Sequence, residues 1–129
     1  MIKEIKKFSR AELFNHYNKC DNPFVFLITK IDVTNVVNYC KKHKNFYPTL
    51  GYLITKTVNI IDVFKYRYKD GKFYYCDEVK SNYTQMFDDN NIGYFNVSFS
   101  NDYSTYIQNF LNTQTILSNY NYQNKNLYK

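Results

Sequence analysis

Phe46-Tyr-Pro-Thr-Leu-Gly-Tyr-Leu-Ile-Thr-Lys-Thr-Val-Asn59, followed after a short link by Phe64-Lys-Tyr-Arg-Tyr-Lys-Asp-Gly71, is the stretch that decides the fold class. Pro48 has the fixed φ of a first helical turn and lacks a donor that would be unpaired there anyway. Leu50, Leu53, Ile54, Thr57, Val58 and Ile61 then recur at spacings of three and four, which predicts a helix with these residues as its apolar stripe. At Phe64 the period changes. Phe64, Tyr66 and Tyr68 alternate with Lys65, Arg67 and Lys69, the pattern of a half-buried strand. Asp70-Gly71 suits a hairpin turn that needs positive φ, and Lys72-Phe-Tyr-Tyr-Cys76 returns as its second strand.

On the N-terminal side, Ser9-Arg-Ala-Glu12 matches a capping box and predicts a helix over 10–17 with Leu13, Phe14 and Tyr17 inward. Asp21-Asn-Pro23 breaks it. Phe24-Val-Phe-Leu-Ile-Thr-Lys-Ile-Asp-Val33 is rich in β-branched and aromatic residues and predicts a largely buried strand. Thr34 can cap a further helix carrying Val36, Val37 and Cys40 inward, closed by the basic run Lys41-Lys-His-Lys44, where positive charge suits a C-terminus.

Beyond the hairpin, Tyr83–Phe87 and Ile92-Gly-Tyr-Phe-Asn-Val-Ser-Phe99 predict two more strands, separated by the acidic link Asp88-Asp-Asn-Asn91. Tyr103, Tyr106, Ile107, Phe110 and Leu111 mark a last helix starting near Asn101 or Asp102. Residues 1–117 are expected to form one domain, with 118–129 a frayed polar tail. Helices interleaved with a hairpin indicate an α+β or α/β chain with a mixed sheet and helices on one face.

The chain has 129 residues, 44% of them apolar and 20% aromatic, enough for one domain with a modest core. No apolar run approaches the roughly 18 residues of a membrane span, and Met1-Ile-Lys-Glu-Ile-Lys-Lys7 lacks a secretory h-region, so a cytoplasmic location is expected. Cys20, Cys40 and Cys76 form no close pair and are expected to be buried or half-buried thiols. A net charge of +6 with 15 Tyr and 11 Phe would suit a polyanion binder. Yet Lys, Asn, Ile, Tyr and Phe rise together, as they do in any AT-rich coding sequence. The charge therefore argues only weakly for nucleic acid.

Catalytic signatures are absent from the residues alone. His16 and His43 are the two histidines, and neither opens an H-x-x-x-D motif. Three widely spaced glycines make no phosphate loop, and no metal-ligand spacing occurs. Asp88-Asp89 beside two Asn reads as a solvated turn.

The order of motifs nevertheless resembles the chloramphenicol acetyltransferases. Phe8-Ser-Arg10 stands where that family has Trp-x-Arg, and Phe14-Asn-His-Tyr17 matches its Phe-x-x-Tyr helix. Ile31-Asp-Val-Thr34, Lys44-Asn-Phe-Tyr-Pro48, Phe64-Lys-Tyr-Arg67 with Asp70-Gly71, and Tyr83-Thr84 follow in family order at near-family spacing. The resemblance covers about residues 8–111 and only the N-terminal part of a family chain.

The resemblance implies an α+β, two-layer sandwich with a mixed, mainly antiparallel sheet, here truncated, assembling as a homotrimer. It implies transfer of an acetyl group from acetyl-CoA to a hydroxyl of chloramphenicol. The family's base is a histidine of a C-terminal H-H-x-x-x-D-G motif, with a serine steadying the oxyanion. Neither motif occurs here, so no catalytic residue is assigned and the chain is expected to be inactive alone. Arg10 matches the arginine that pairs with the Asp of that motif; without it, Arg10 should turn to solvent or find another carboxylate. Phe24 and Val25 occupy the substrate-contacting strand, Val25 replacing a Tyr, and the pocket phenylalanine maps to Ile92, Tyr94 or Phe95. Substrate-binding candidates are therefore Phe24, Val25, Tyr94 and Phe95, with Arg10 as structural support. As core residues, Phe24, Phe26, Phe87 and Phe95 would simply fill space. The alternative function is a non-catalytic binding or assembly module on the same scaffold.

Overall fold

The computed structural model describes residues 1–43, 45–87 and 90–124. The predicted helix-to-hairpin element is present. Helix α3 spans Phe46–Ile60, a 3-10 turn follows over Asp62–Lys65, and strands β2 (Tyr66–Lys69) and β3 (Lys72–Cys76) pair antiparallel with Tyr66 opposite Tyr75 and Lys69 opposite Lys72. Asp70 and Gly71 carry φ of 51° and 78°, the left-handed pair that a tight two-residue turn demands.

A strand that the sequence reading missed, β1 (Ile2–Ile5), completes a sheet in the order β1-β3-β2. Its Ile-Lys-Glu-Ile sequence is short and half charged, so it carries little strand signal. It is held by its partners: Lys72 Nζ lies 3.1 Å from Glu4 Oε2, and Lys3 Nζ lies 3.3 Å from Asp77 Oδ1. Phe8 stacks on Phe73 at 4.5 Å, and Phe14 of α1 (Ala11–Tyr17) meets Tyr68 and Phe73. The capping box is not formed, because α1 begins one residue later, at Ala11, with Arg10 as an N-cap that makes no side-chain bond. Leu13 and Tyr17, expected inward, are exposed; only Phe14 reaches the sheet.

Strands β4 (Ser81–Met86) and β5 (Ile92–Val97) form a separate antiparallel pair, with Tyr83 opposite Phe95. The expected single mixed sheet is thus two antiparallel sheets among the described residues, within the same α+β class. Asp88 and Asp89 of the acidic link, and Lys44 of the basic run, lie outside the described residues. Helix α2 covers Thr34–His43. Asp32, not Thr34, supplies its cap, accepting the Thr34 N–H at 2.9 Å, and this bond and the Thr34 side chain hold the Asp32 carboxyl below the usual range. Helix α4 runs Tyr103–Asn124, capped by Asp102, which accepts the Thr105 N–H at 2.7 Å. Residues 118–124 belong to this last helix, and 125–129 of the expected tail lie outside the described residues.

The core lies between α3, α4 and the β4–β5 sheet. Tyr52, Tyr83, Phe95, Val97, Tyr106 and Phe110 are buried together. The inward face of α3 is not the predicted stripe. It is Pro48, Thr49, Tyr52 and Thr55, whereas Leu53, Ile54 and Ile61 are exposed. The reason is close approach. A Cβ added to Gly51 would overlap the Tyr83 hydroxyl, so α3 meets the sheet through its small and tyrosine-bearing face. Asn59, one turn on, ties α3 to the β3–β4 link by donating to Val79 O at 2.8 Å and accepting Val79 N–H at 2.9 Å, as a strand neighbour would.

The largest departure concerns residues 24–33. They form no strand. Val25 and Ile28 are 94% and 96% exposed, and Phe24, Phe26, Leu27 and Ile31 are exposed as well. β-propensity describes fitness for a pleated, half-buried surface and supplies no partner, and no strand among the described residues pairs with this stretch. Cys40 and Cys76 are buried as expected, but Cys20 is exposed. No helix among the described residues is long and apolar enough to cross a membrane.

Candidate functional site

A hollow of about 430 Å³ opens between α1 and the start of the extended stretch, lined by Phe8, Arg10, Leu13, Phe14, Tyr17, Pro23 and Val25. Arg10 also lines a neighbouring hollow of about 400 Å³ with Ser9, Asp62, Val63 and Tyr66. The structure therefore brings two of the sequence candidates, Arg10 and Val25, to one concavity. Arg10 is exposed and forms no ion pair among the described residues; the carboxylate facing it across the second hollow, Asp62, is taken by Lys65 at 3.6 Å and by the Tyr75 hydroxyl at 2.9 Å. The cation is left in water, where it costs least.

The remaining candidates are not gathered there. Phe24 neighbours Val25 but is solvent-exposed, and so is Tyr94 on β5. Alternation along β5 sends the next residue, Phe95, to the other face, where it stacks on Tyr83 at 5.4 Å and meets Phe110 at 5.3 Å inside the core. Ile92, the third alternative for the pocket aromatic, is exposed on the same face as Tyr94.

A third hollow, of about 330 Å³, lies between α2, α3 and the start of α4, walled by Val36, Tyr39, Tyr52, Leu53 and Tyr103. Its hydroxyls are already engaged. Asn45 donates to Tyr103 Oη at 2.8 Å, and Thr49 Oγ1 lies 2.8 Å from the same oxygen. Burial, then the neighbouring Tyr103, push the Tyr39 phenol up from its ordinary value.

The polar cluster that sequence reasoning missed is a chain of hydroxyls in the core. Ser81 Oγ lies 2.6 Å from Tyr106 Oη, which lies 2.8 Å from Tyr83 Oη. Nothing in the spacing of these residues signals the cluster, because it joins a strand to a helix across the core. It is not an acid–base device. Burial first, and the Tyr106 bond second, push the Tyr83 phenol well above its ordinary value, so it stays protonated. His16 and His43 are exposed on α1 and α2, each beside a tyrosine ring (Tyr17 and Tyr39), and neither forms an ion pair with a carboxylate among the described residues. Among the described residues no group of His, Cys, Asp and Glu could hold a metal.

These elements define a two-layer α+β scaffold with an apolar concavity and no base in it. The family model described as Chloramphenicol acetyltransferase matches residues 2–128. The chain is 30% identical over 83 residues to a chloramphenicol acetyltransferase of Staphylococcus aureus, covering 63% of this chain and 38% of the relative. It is 29% identical over 109 residues to one of Clostridium perfringens, covering 83% and 47%. A solved chloramphenicol acetyltransferase superposes with a TM-score of 0.75 at 20% identity over 84% of this chain and 53% of that one. The chain belongs to the chloramphenicol acetyltransferase family. It spans about half the length, or less, of the relatives it matches.

Proposed function

We propose that this chain is the scaffold half of an acetyl-CoA-dependent O-acyltransferase and does not turn over substrate by itself. Family membership across residues 2–128, set beside two histidines that pair with no carboxylate among the described residues, is the observation that carries the reading. A general base must lie within hydrogen-bond reach of the hydroxyl it deprotonates and needs a partner to fix its tautomer. Neither His16 nor His43 has such a partner among the described residues, and neither lines the concavity beside Arg10 and Val25. In the complete reaction the acceptor oxygen loses its proton and attacks the thioester carbonyl of acetyl-CoA. The tetrahedral oxyanion then collapses and expels the CoA thiolate, which takes up a proton. The base and the oxyanion donor come from the part of the fold that this chain does not match.

Val25 and Phe24, with Tyr94 at the other sheet, supply apolar wall for the acceptor; Phe95 backs that wall from the core; Arg10 steadies the base's segment. Chloramphenicol is the acceptor and acetyl-CoA the co-substrate, in a cytoplasmic homotrimer. Thiol release from acetyl-CoA in the presence of chloramphenicol tests this. The purified chain should give no turnover above the no-enzyme blank, and robust turnover would overturn the reading. The exposed apolar stretch at 24–31 favours a second reading, a non-catalytic assembly module, for which a monodisperse monomer with no ligand binding would be the contrary result.

A further inference from the structure

β2 pairs with β3 alone among the described residues, so its other side is a free sheet edge. The two-residue turn makes Lys69–Lys72 a hydrogen-bonded pair. Antiparallel alternation makes Arg67–Tyr74 the next, with Tyr68–Phe73 between them and Tyr66–Tyr75 beyond. Tyr66 and Tyr68 therefore turn their N–H and C=O groups away from β3, into the open. A row of this kind is a template for an added strand. One of its acceptors is already covered. Arg67 Nη1 donates to Tyr66 O at 2.7 Å and to Phe64 O, just before the strand, at 2.6 Å. The Tyr66 and Tyr68 rings lie against Phe8 and Phe14, so Arg67 leaves the opposite face of the strand and reaches back around the edge. We propose that this contact closes the β2 edge, and that the strand it excludes is β2 of a second copy of the chain.

Register and charge select that strand. Antiparallel pairing about a two-fold axis at Arg67 sets Tyr66 of each copy opposite Tyr68 of the other. Each such pair exchanges both of its bonds, so every outward N–H and C=O of Tyr66 and Tyr68 is satisfied, and the tyrosines add cross-strand contact. Arg67 opposes this arrangement twice. Its guanidinium covers the Tyr66 oxygen that must accept from the second copy. On the axis it also meets the same cation of the second copy, and like charges directly opposite are destabilising. An acidic strand is not excluded in this way, because a carboxylate opposite Arg67 draws the guanidinium off the edge into an ion pair. A cation at this position therefore discriminates against the chain's own strand. Arg67 forms no ion pair among the described residues, so no carboxylate competes with the main-chain oxygens for it.

Arg67→Met keeps a long side chain and removes both the donors and the charge. In sedimentation of the full chain it should associate at a concentration about 10-fold or more below the parent's. Amide exchange at Tyr66 and Tyr68 should slow with rising concentration in Arg67→Met and stay fast in the parent. Arg67→Thr, too short to reach either oxygen and at home in a strand, repeats the comparison if the methionine chain fails to fold. Cross-linking reads the register. With Cys20→Ser removing the exposed thiol, Arg67→Cys puts a thiol on the two-fold axis, and Lys69→Cys puts one off it with Arg67 in place. Mild oxidation should join Arg67→Cys chains about 10-fold faster than Lys69→Cys chains, because only thiols on the axis meet their own copies within disulfide reach. Equal association of the parent and Arg67→Met would overturn the inference. So would association that leaves Tyr66 and Tyr68 unprotected, or equal cross-linking of the two cysteine variants.

Discussion

Gly51→Ala is the sharpest perturbation of this fold, because two physical arguments give it opposite signs. Gly51 lies in the interior of α3, where replacing Gly by Ala in an exposed helix stabilises by about 1 kcal/mol. The added methyl, however, would overlap the Tyr83 hydroxyl and stand 2.7 Å from the ring carbon that bears it. Tyr83 is fixed by ring contacts to Phe95 and Phe110 and by its bond to Tyr106, so it cannot swing aside cheaply. Overpacking costs about 1–3 kcal/mol. If the ring moves, the hydroxyl of Tyr106 loses one partner at a further cost of about 1–3 kcal/mol. With both costs incurred, subtracting the propensity gain leaves a net destabilisation of about 1–5 kcal/mol. Urea unfolding followed by circular dichroism measures it, with Tyr83→Phe and the double variant completing a cycle. Because Tyr83→Phe removes the overlapping oxygen, the double variant should be more stable than the sum of the two losses implies, by about 1 kcal/mol or more. A Gly51→Ala chain as stable as the parent, or strict additivity in the cycle, would refute the close-approach argument.

Tyr83 also sets a pH dependence. Its folded-state phenol is raised above the unfolded value, so its contribution is complete below about pH 10 and declines as the pH rises beyond it, where only the unfolded chain ionises. Urea midpoints should therefore drop between about pH 9 and about pH 11.5, and the drop should shrink in Tyr83→Phe. Asn59→Ala removes the amide that binds both the N–H and the C=O of Val79, and should cost about 1–3 kcal/mol and speed exchange at Val79 before it disturbs the β2–β3 hairpin. An unchanged midpoint would mean that water replaces the amide without loss.

What the sequence made legible was what is decided locally. The Asp70-Gly71 turn, the helix from Phe46 and two strands, expected at 83–87 and 92–99 and found at 81–86 and 92–97, follow from φ preferences and short-range periodicity. Which face of α3 points inward was not legible. Leu53 and Ile54 outrank Thr49 and Thr55 on any hydrophobicity count, yet the threonines are buried. They satisfy their own hydroxyls by bonding back to Asn45 O and Gly51 O at 2.7 Å each, so their burial leaves no polar group stranded. That preference depends on what α3 packs against, which no single-helix pattern contains. The candidate site was legible in part. Val25 and Arg10 do share a concavity, while Tyr94 and Phe95, adjacent in sequence, are placed by the pleat on opposite faces of β5.

The exposed face of α3 and the unpaired stretch at 24–31 follow from one cause. A helix satisfies its backbone within itself, so α3 forms whether or not Leu53 and Ile54 find cover. A strand satisfies its backbone only through neighbours, so residues 24–33, the most strand-like sequence in the chain, form no strand and stay exposed where no strand among the described residues pairs with them. The motifs that carry the family resemblance, at Pro48, Arg67 and Asp70-Gly71, sit in elements that close on themselves. The residues nominated for substrate contact, Phe24 and Val25, sit in the element that does not. Family membership could therefore be read from the self-contained elements, whereas the surroundings of Phe24 and Val25 could not be read from their own sequence.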